Sequence, residues 1–293
     1  MKIKNIFYCI IVVLLLSSCE DPVPKDYIPS NIVEALLIVN EPIRNIKILK
    51  SQSLFDEFSY DSSLVTDAEV YIIDDNNNIL ELKFRHSDIM GESGYFYPDT
   101  SYLVKKNTNY KLKIILGDST VIKGETTTPD TIYWLASCSD FMQYPDDPYN
   151  LTVIDSIKWA SKAPLATYYL FTVNCLDTLN YGRYLTSPTD ELNERIYSKY
   201  EIPDKYYRET NTAMFIPATK IPVAWDYLKW FGLHELSVWL PDMNYRSWNM
   251  MLFMSSNIND RFSSIDGASG FFGSACVCRD TTFIIKNKNN QLH

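Results

Sequence analysis

Two histidines stand away from the C-terminus, His86 and His234, and either could serve as a base. His234-Glu235 begins like a zinc-protease motif, which needs a second histidine one helical turn on so that both share one face. Val238 occupies that position, and the segment alternates like a strand, so the motif fails. Both histidines read better as packed or solvated side chains. Asp74-x-Asn76-x-Asn78 begins like a calcium loop, but Ile79 replaces the glycine of the sixth position and Arg85 replaces the closing glutamate. A polar hairpin turn explains that run better. Gly267, Gly270 and Gly273 recur at every third residue with no Lys-Ser or Lys-Thr behind them, so they form no phosphate loop and are expected to shape a turn before the last strand. No Gly-x-Ser-x-Gly elbow occurs. No catalytic residue, metal or cofactor is assigned.

One loop has the chemistry of a ligand rim. Tyr144-Pro-Asp146-Asp147-Pro-Tyr149 sets two carboxylates between prolines with tyrosines outside. Carboxylates accept hydrogen bonds from sugar hydroxyls, and tyrosine rings stack on apolar sugar faces. The plainer reading is a stiff exposed loop.

Cys19 carries the strongest signal. Lys2 and Lys4 give a basic start, Ile6 to Leu16 is apolar and uncharged, and Ser17 and Ser18 are small. This is the layout of a secretory signal peptide, and the oily run is too short to span a bilayer as a helix. Leu16-Ser-Ser-Cys19 resembles a bacterial lipobox. That resemblance implies a diacylglyceryl group on the Cys19 sulfur, cleavage just before it and a third acyl chain on the new amine. Several chains hold a protein on a membrane where one alone is marginal. Glu20 and Asp21 resemble the surface-export signal of Bacteroidota lipoproteins, which leaves the surface-exposed and periplasmic leaflets both open.

Without residues 1–18 the chain has 275 residues, with 25 basic and 36 acidic side chains and a net charge of −11. That balance argues against nucleic acid, whose phosphates demand basic surface, and against a polybasic hold on anionic lipid. Cys138, Cys175, Cys276 and Cys278 remain in an exported setting that permits disulfides. Four thiols allow three full pairings, and buried free thiols or a single bridge are expected. Cys276 and Cys278 sit two apart on an expected strand and so share a face, but zinc is poorly supported without a nearby histidine.

The elements that must position these groups are mostly strands. Residues 19–30 carry Pro22, Pro24 and Pro29 and read as an extended tether. Over 31–129, IVEALLIV, RNIKILKSQ, DAEVYIID, ILELKF, YKLKIIL and TVIKGETT predict strands. Tyr110, Leu112, Ile114 and Leu116 share one face. This spacing suggests an immunoglobulin-like β-sandwich. Residues 130–293 predict a second β-rich domain with a few short helices, one capped by Ser187 with Leu192, Ile196 and Tyr200 on its apolar face. Another is capped by Asp242 and carries Trp248, Met251 and Leu252. The fold class is therefore mainly β.

Over most of residues 30–286 the chain resembles an uncharacterised Bacteroidota lipoprotein family, domain of unknown function 4249. The resemblance rests on IVEALLIVNEPIRNIKI, LVTDAEVYIID, HELSVWLPDMNYRSWNMML and GASGFFGSACVC. It implies a cell outer-membrane lipoprotein associated with nutrient-uptake receptors of the TonB-dependent kind, and offers no catalytic residues. Five tripeptides, at Asp118, Asp130, Asp155, Asp177 and Asp280, resemble the O-glycosylation sequon of exported Bacteroidota proteins, where composition would give about one or two. The reading is a non-enzymatic lipoprotein, held on the membrane through Cys19, that supports nutrient or partner capture. A glycan-binding or adhesive module is the alternative, and a hydrolase comes third.

Overall fold

The computed structural model describes residues 27–53, 56–89, 91–145, 153–163, 168–196, 211–254, 260–286 and 291–292. The chain is mainly β. It opens with β1 (Asn31–Ile38), β2 (Lys47–Lys50) and a single helical turn, α1 (Tyr60–Ser63), whose N-cap Ser59 accepts the amide hydrogen of Ser62. Then come β3 (Glu69–Asp74), β4 (Ile79–Arg85), β5 (Gly94–Phe96), β6 (Asn109–Ile115) and β7 (Val121–Thr127). The second half holds β8 (Ile132–Ala136), β9 (Phe141–Gln143), β10 (Val153–Ser161), β11 (Tyr169–Cys175) and β12 (Leu185–Thr186). It continues through β13 (Asn211–Ile216), β14 (Lys220–Ala224), β15 (Gly232–Pro241), α2 (Met243–Met254), β16 (Ile265–Asp266), β17 (Ser269–Ile285) and β18 (Gln291–Leu292).

Alternation decides which faces meet. In β6, Tyr110, Leu112 and Ile114 are buried while Lys111 and Lys113 are exposed. The sheet β16-β7-β6-β3-β4-β5 turns that apolar side toward Val33, Ala35 and Leu37 of β1, Ile48 of β2 and Phe272 of β17. The first core thus draws on Ile265 and Phe272 as well as on residues of the N-terminal half. A larger sheet, β13-β11-β15-β17-β1-β2 with β9 added beside β17, continues into the second half. There Phe171, Val173, Leu236, Val238 and Ile284 pack against Ile157, Trp159 and Val223 of the sheet β14-β10-β8. β17 belongs to both cores. Its first part pairs with β1 in parallel and its later part with β15 in antiparallel register.

The turn at Asp74 forms as expected. Asp74 Oδ1 accepts the amides of Asn76 and Asn78, and Asn77 takes a positive φ of 61°, which asparagine tolerates. α2 is capped at Asp242, whose Oδ1 accepts the amide of Tyr245 at 2.8 Å. Trp248 and Met251 are buried beneath α2, whereas Leu252 is half exposed. The helix expected after Ser187 is absent through residue 196, and Tyr200 lies outside the described residues. Tertiary hydrogen bonds override the local signals there. Asn193 Nδ2 donates to the Asp177 and Phe231 carbonyls at 2.6 and 2.8 Å, and Arg195 pairs with Trp230 in a bridge. Of the three spaced glycines only Gly267 shapes a turn; Gly270 and Gly273 lie within β17. A Cβ on Gly270 would stand 2.0 Å from the Val33 carbonyl oxygen, and one on Gly273 would strike Tyr245 of α2 at 2.8 Å.

Candidate functional site

His234 and Cys175 are opposed on β15 and β11, with Thr282 on the other flank of His234. Side chains opposed across a sheet share a face, so thiol and imidazole are neighbours. The alternation of HELSVWL carries this placement, because His234 lies in phase with Leu236, Val238 and Leu240, all buried. His234 Nδ1 lies 3.0 Å from the Gly232 carbonyl, which makes Nδ1 the protonated nitrogen. Burial pushes the imidazole down to about 4. Burial pushes the Cys175 thiol up to about 11. A nucleophilic pair needs the reverse, a thiolate beside an imidazolium. This pair is neutral and buried.

His86 raises a similar question. Its Nδ1 is 3.4 Å from Ser93 Oγ and its Nε2 3.8 Å from Asp88 Oδ1, in the order of a hydrolytic triad. The Ser93 hydroxyl is nevertheless buried and committed. It accepts the amide of Ser87 at 3.0 Å and donates to the Ser87 carbonyl at 3.2 Å. It pins a loop, and its burial keeps it from a substrate.

The Asp74 carboxylate is fully enclosed. Beyond its two backbone amides it accepts from Asn78 Nδ2 at 2.9 Å and from Tyr102 and Lys105 Nζ at 3.3 Å. Burial alone would raise its pKa, but the Asn78 and Lys105 hydrogen bonds outweigh that and hold it low. The oxygens a calcium loop would offer are spent on the hairpin. Among the described residues no three His, Cys, Asp or Glu side chains gather as a metal set. No disulfide joins Cys138, Cys175, Cys276 and Cys278. Cys276 and Cys278 do share a face, both packed into the second core.

Of the proposed ligand rim only Tyr144 lies among the described residues; Asp146, Asp147 and Tyr149 lie outside them, as does Cys19. The Tyr144 ring is half buried and meets Trp225 and Phe231 edge-on, with centroids 5.2 and 5.3 Å away. Its amide continues the β9 register by donating to the Ile285 carbonyl. Tyr144 therefore buttresses the core, a role the prolines and aspartates of the loop conceal. Among the five tripeptides, Ser119 is exposed in the β6–β7 turn and Thr281 is exposed on β17, while Thr131, Ser156 and Thr178 are half buried.

The described surface also carries clefts. A groove of about 480 Å³ crosses β3, β6 and β7 between Lys111, Lys113 and Lys123. Glu125 opposes Lys111 and Asp266 opposes Lys123, so the groove has no single-sign field. A second cleft of about 400 Å³ lies beside β1 and the ends of β4 and β5. No family model and no curated protein matches the chain.

Proposed function

We propose that the chain is a lipid-anchored outer-membrane lipoprotein, held through Cys19, that acts without catalysis as an accessory to nutrient uptake or partner capture by a TonB-dependent receptor. The observation that carries the anchoring is the run from Lys2 to Asp21, where a basic start, an oily core, small residues and a cysteine follow in order. The segment from Tyr27 to Ser30 before β1 is exposed and without regular structure, with Ile28 83% exposed, as suits the end of a tether. No helix of the described residues is long and apolar enough to cross a membrane. The non-catalytic reading draws on the neutral state of His234 and Cys175 and on the committed Ser93 hydroxyl. The uptake link draws on the family resemblance.

The test of the anchor is Cys19→Ala, which is expected to abolish incorporation of labelled palmitate and to release the chain from the membrane fraction. Unchanged labelling and fractionation would overturn it. Pull-downs from native membranes test the uptake link and are expected to recover a receptor.

A further inference from the structure

We propose that the cleft beside β1 and the ends of β4 and β5 binds small zwitterions of the amino-acid and free-peptide class. The cleft is lined by Leu36, Ile38, Arg44, Asn45, Arg85 and Glu92. Leu36 and Ile38 lie on the face of β1 opposite Val33, Ala35 and Leu37, which fill the first core, and they supply an apolar floor. Ile46 and Tyr95 exchange backbone hydrogen bonds of 3.0 and 2.7 Å, which bring Arg44 and Asn45 beside β5. Arg85 closes β4, and Glu92 sits two residues before β5.

Each guanidinium group has one anchoring contact. The Arg85 guanidinium carbon lies 5.0 Å from the centroid of the Phe96 ring, a contact that fixes the plane without using its donors. Arg44 spends one contact, 3.0 Å long, on Glu41, whose other oxygen is taken by Arg279 at 2.5 Å. A guanidinium has five N–H donors, so most of the Arg44 fork stays available. Arg85 and Glu92 line one cleft, yet neither forms an ion pair with the other or with any other described residue.

A cleft with opposite charges that do not pair with each other fits a ligand that carries both. The two arginines suit a carboxylate, which they recognise with paired donors. Glu92 suits an ammonium group, Asn45 a peptide amide, and the Leu36–Ile38 floor an aliphatic side chain. A monoanion would leave Glu92 opposed by like charge, and a neutral sugar would leave both arginines unmatched. The volume is at the small end for ligand sites, as expected for a dipeptide-sized molecule. The inference deepens the uptake reading, on which its biological setting rests, by naming the class of cargo.

The test is calorimetric titration of the detergent-solubilised full chain with leucyl-leucine, its N-acetyl form and its C-terminal amide. The free dipeptide is expected to bind saturably, and blocking either end to weaken binding by about tenfold or more. Arg85→Ala is expected to weaken the free dipeptide by a similar factor while the thermal midpoint stays in place. Glu92→Gln is expected to remove the discrimination against the N-acetyl form. Absence of saturable binding at ligand concentrations on the order of 10 mM, or equal binding of the blocked forms, would overturn the proposal. A preparation that recovers a receptor yet ignores the dipeptide overturns this site alone. One that binds the dipeptide but recovers no receptor supports the site and counts against the uptake partner.

Discussion

Thr126 of β7 donates its hydroxyl to Asp242 Oδ2 at 2.6 Å, joining the sheet of the N-terminal half to the cap of α2. Ser274 of β17 completes the cluster, with its hydroxyl 2.9 Å from that of Thr126. One carboxylate thus caps a helix and ties three elements together. Burial pushes the Asp242 carboxyl up, and the Thr126 hydroxyl and the Tyr245 amide only partly offset this.

Asp242→Ala should lose both cap and tie, at a cost of about 2 kcal/mol in urea unfolding. Asp242→Asn keeps a capping oxygen and removes the buried charge. A carboxyl whose pKa is raised by folding favours the native state at low pH. That contribution declines as pH rises from the unfolded value of about 3.8 through the folded one. The asparagine variant should lack this decline, which paired denaturation curves from pH 4 to 8 would show.

His234 contributes with the opposite sign. Its folded pKa is about 4 against 6.5 in the free side chain, so protonation favours unfolding. The contribution is complete above about pH 6.5 and shrinks as pH falls toward 4. Its full size is roughly 3 kcal/mol. The difference in unfolding free energy between the native chain and His234→Gln should narrow by about that amount over this interval. A constant difference would refute the assignment.

Gly270 takes a φ of +123° with no room for a Cβ beside Val33. Gly270→Ala should destabilise the fold by more than about 2 kcal/mol, because it imposes both backbone strain and a clash with backbone. Gly91, with a φ of +85° and open space around it, provides the control. Gly91→Ala should cost about 1 kcal/mol. Chemical denaturation of the two variants separates the steric part from the conformational part.

The thiols give a chemical reading of the same core. Burial pushes the Cys278 thiol up to about 12 from an ordinary value of about 9, which cuts its thiolate fraction at neutral pH roughly a thousandfold. Native Cys278 and Cys175 should resist alkylation for hours under conditions that label an exposed cysteine within minutes. Denaturation should release Cys138, Cys175, Cys276 and Cys278 together without a reductant. Mass spectrometry of the alkylated chain counts them directly.

Local rules made much of this readable in advance. The alternation of YKLKIIL gave β6 its buried side, and Asp242 signalled the start of α2 by residue type alone. The strand period around His234 was legible too, and its phase with Leu236, Val238 and Leu240 decides between the packed and solvated readings in favour of the packed one. Other features depend on partners distant in sequence. The segment after Ser187 has a good cap and good spacing, but the Asn193 side chain finds carbonyls that no local pattern reveals. Strand period cannot say that β1 pairs with β17. The cleft was equally hidden, because Arg44, Arg85 and Glu92 meet only through the Ile46–Tyr95 bridge. Tyr144 misled for the converse reason: prolines and acids next to it advertise a surface loop, while its ring turns inward.

The pairing of Ile32 with Ser269 sets an order of events in biogenesis. Delivered amino end first, whether from a ribosome or through a translocation pore, the opening strand must wait for almost the entire polypeptide before its neighbour arrives. During that delay the edge of β1 away from β2 keeps its backbone amides and carbonyls unpaired, and Val33, Ala35 and Leu37 lack the late-arriving Ile265 and Phe272. A stop codon that removed only the closing segment would therefore leave the earliest-made half as a target for holding chaperones and proteases.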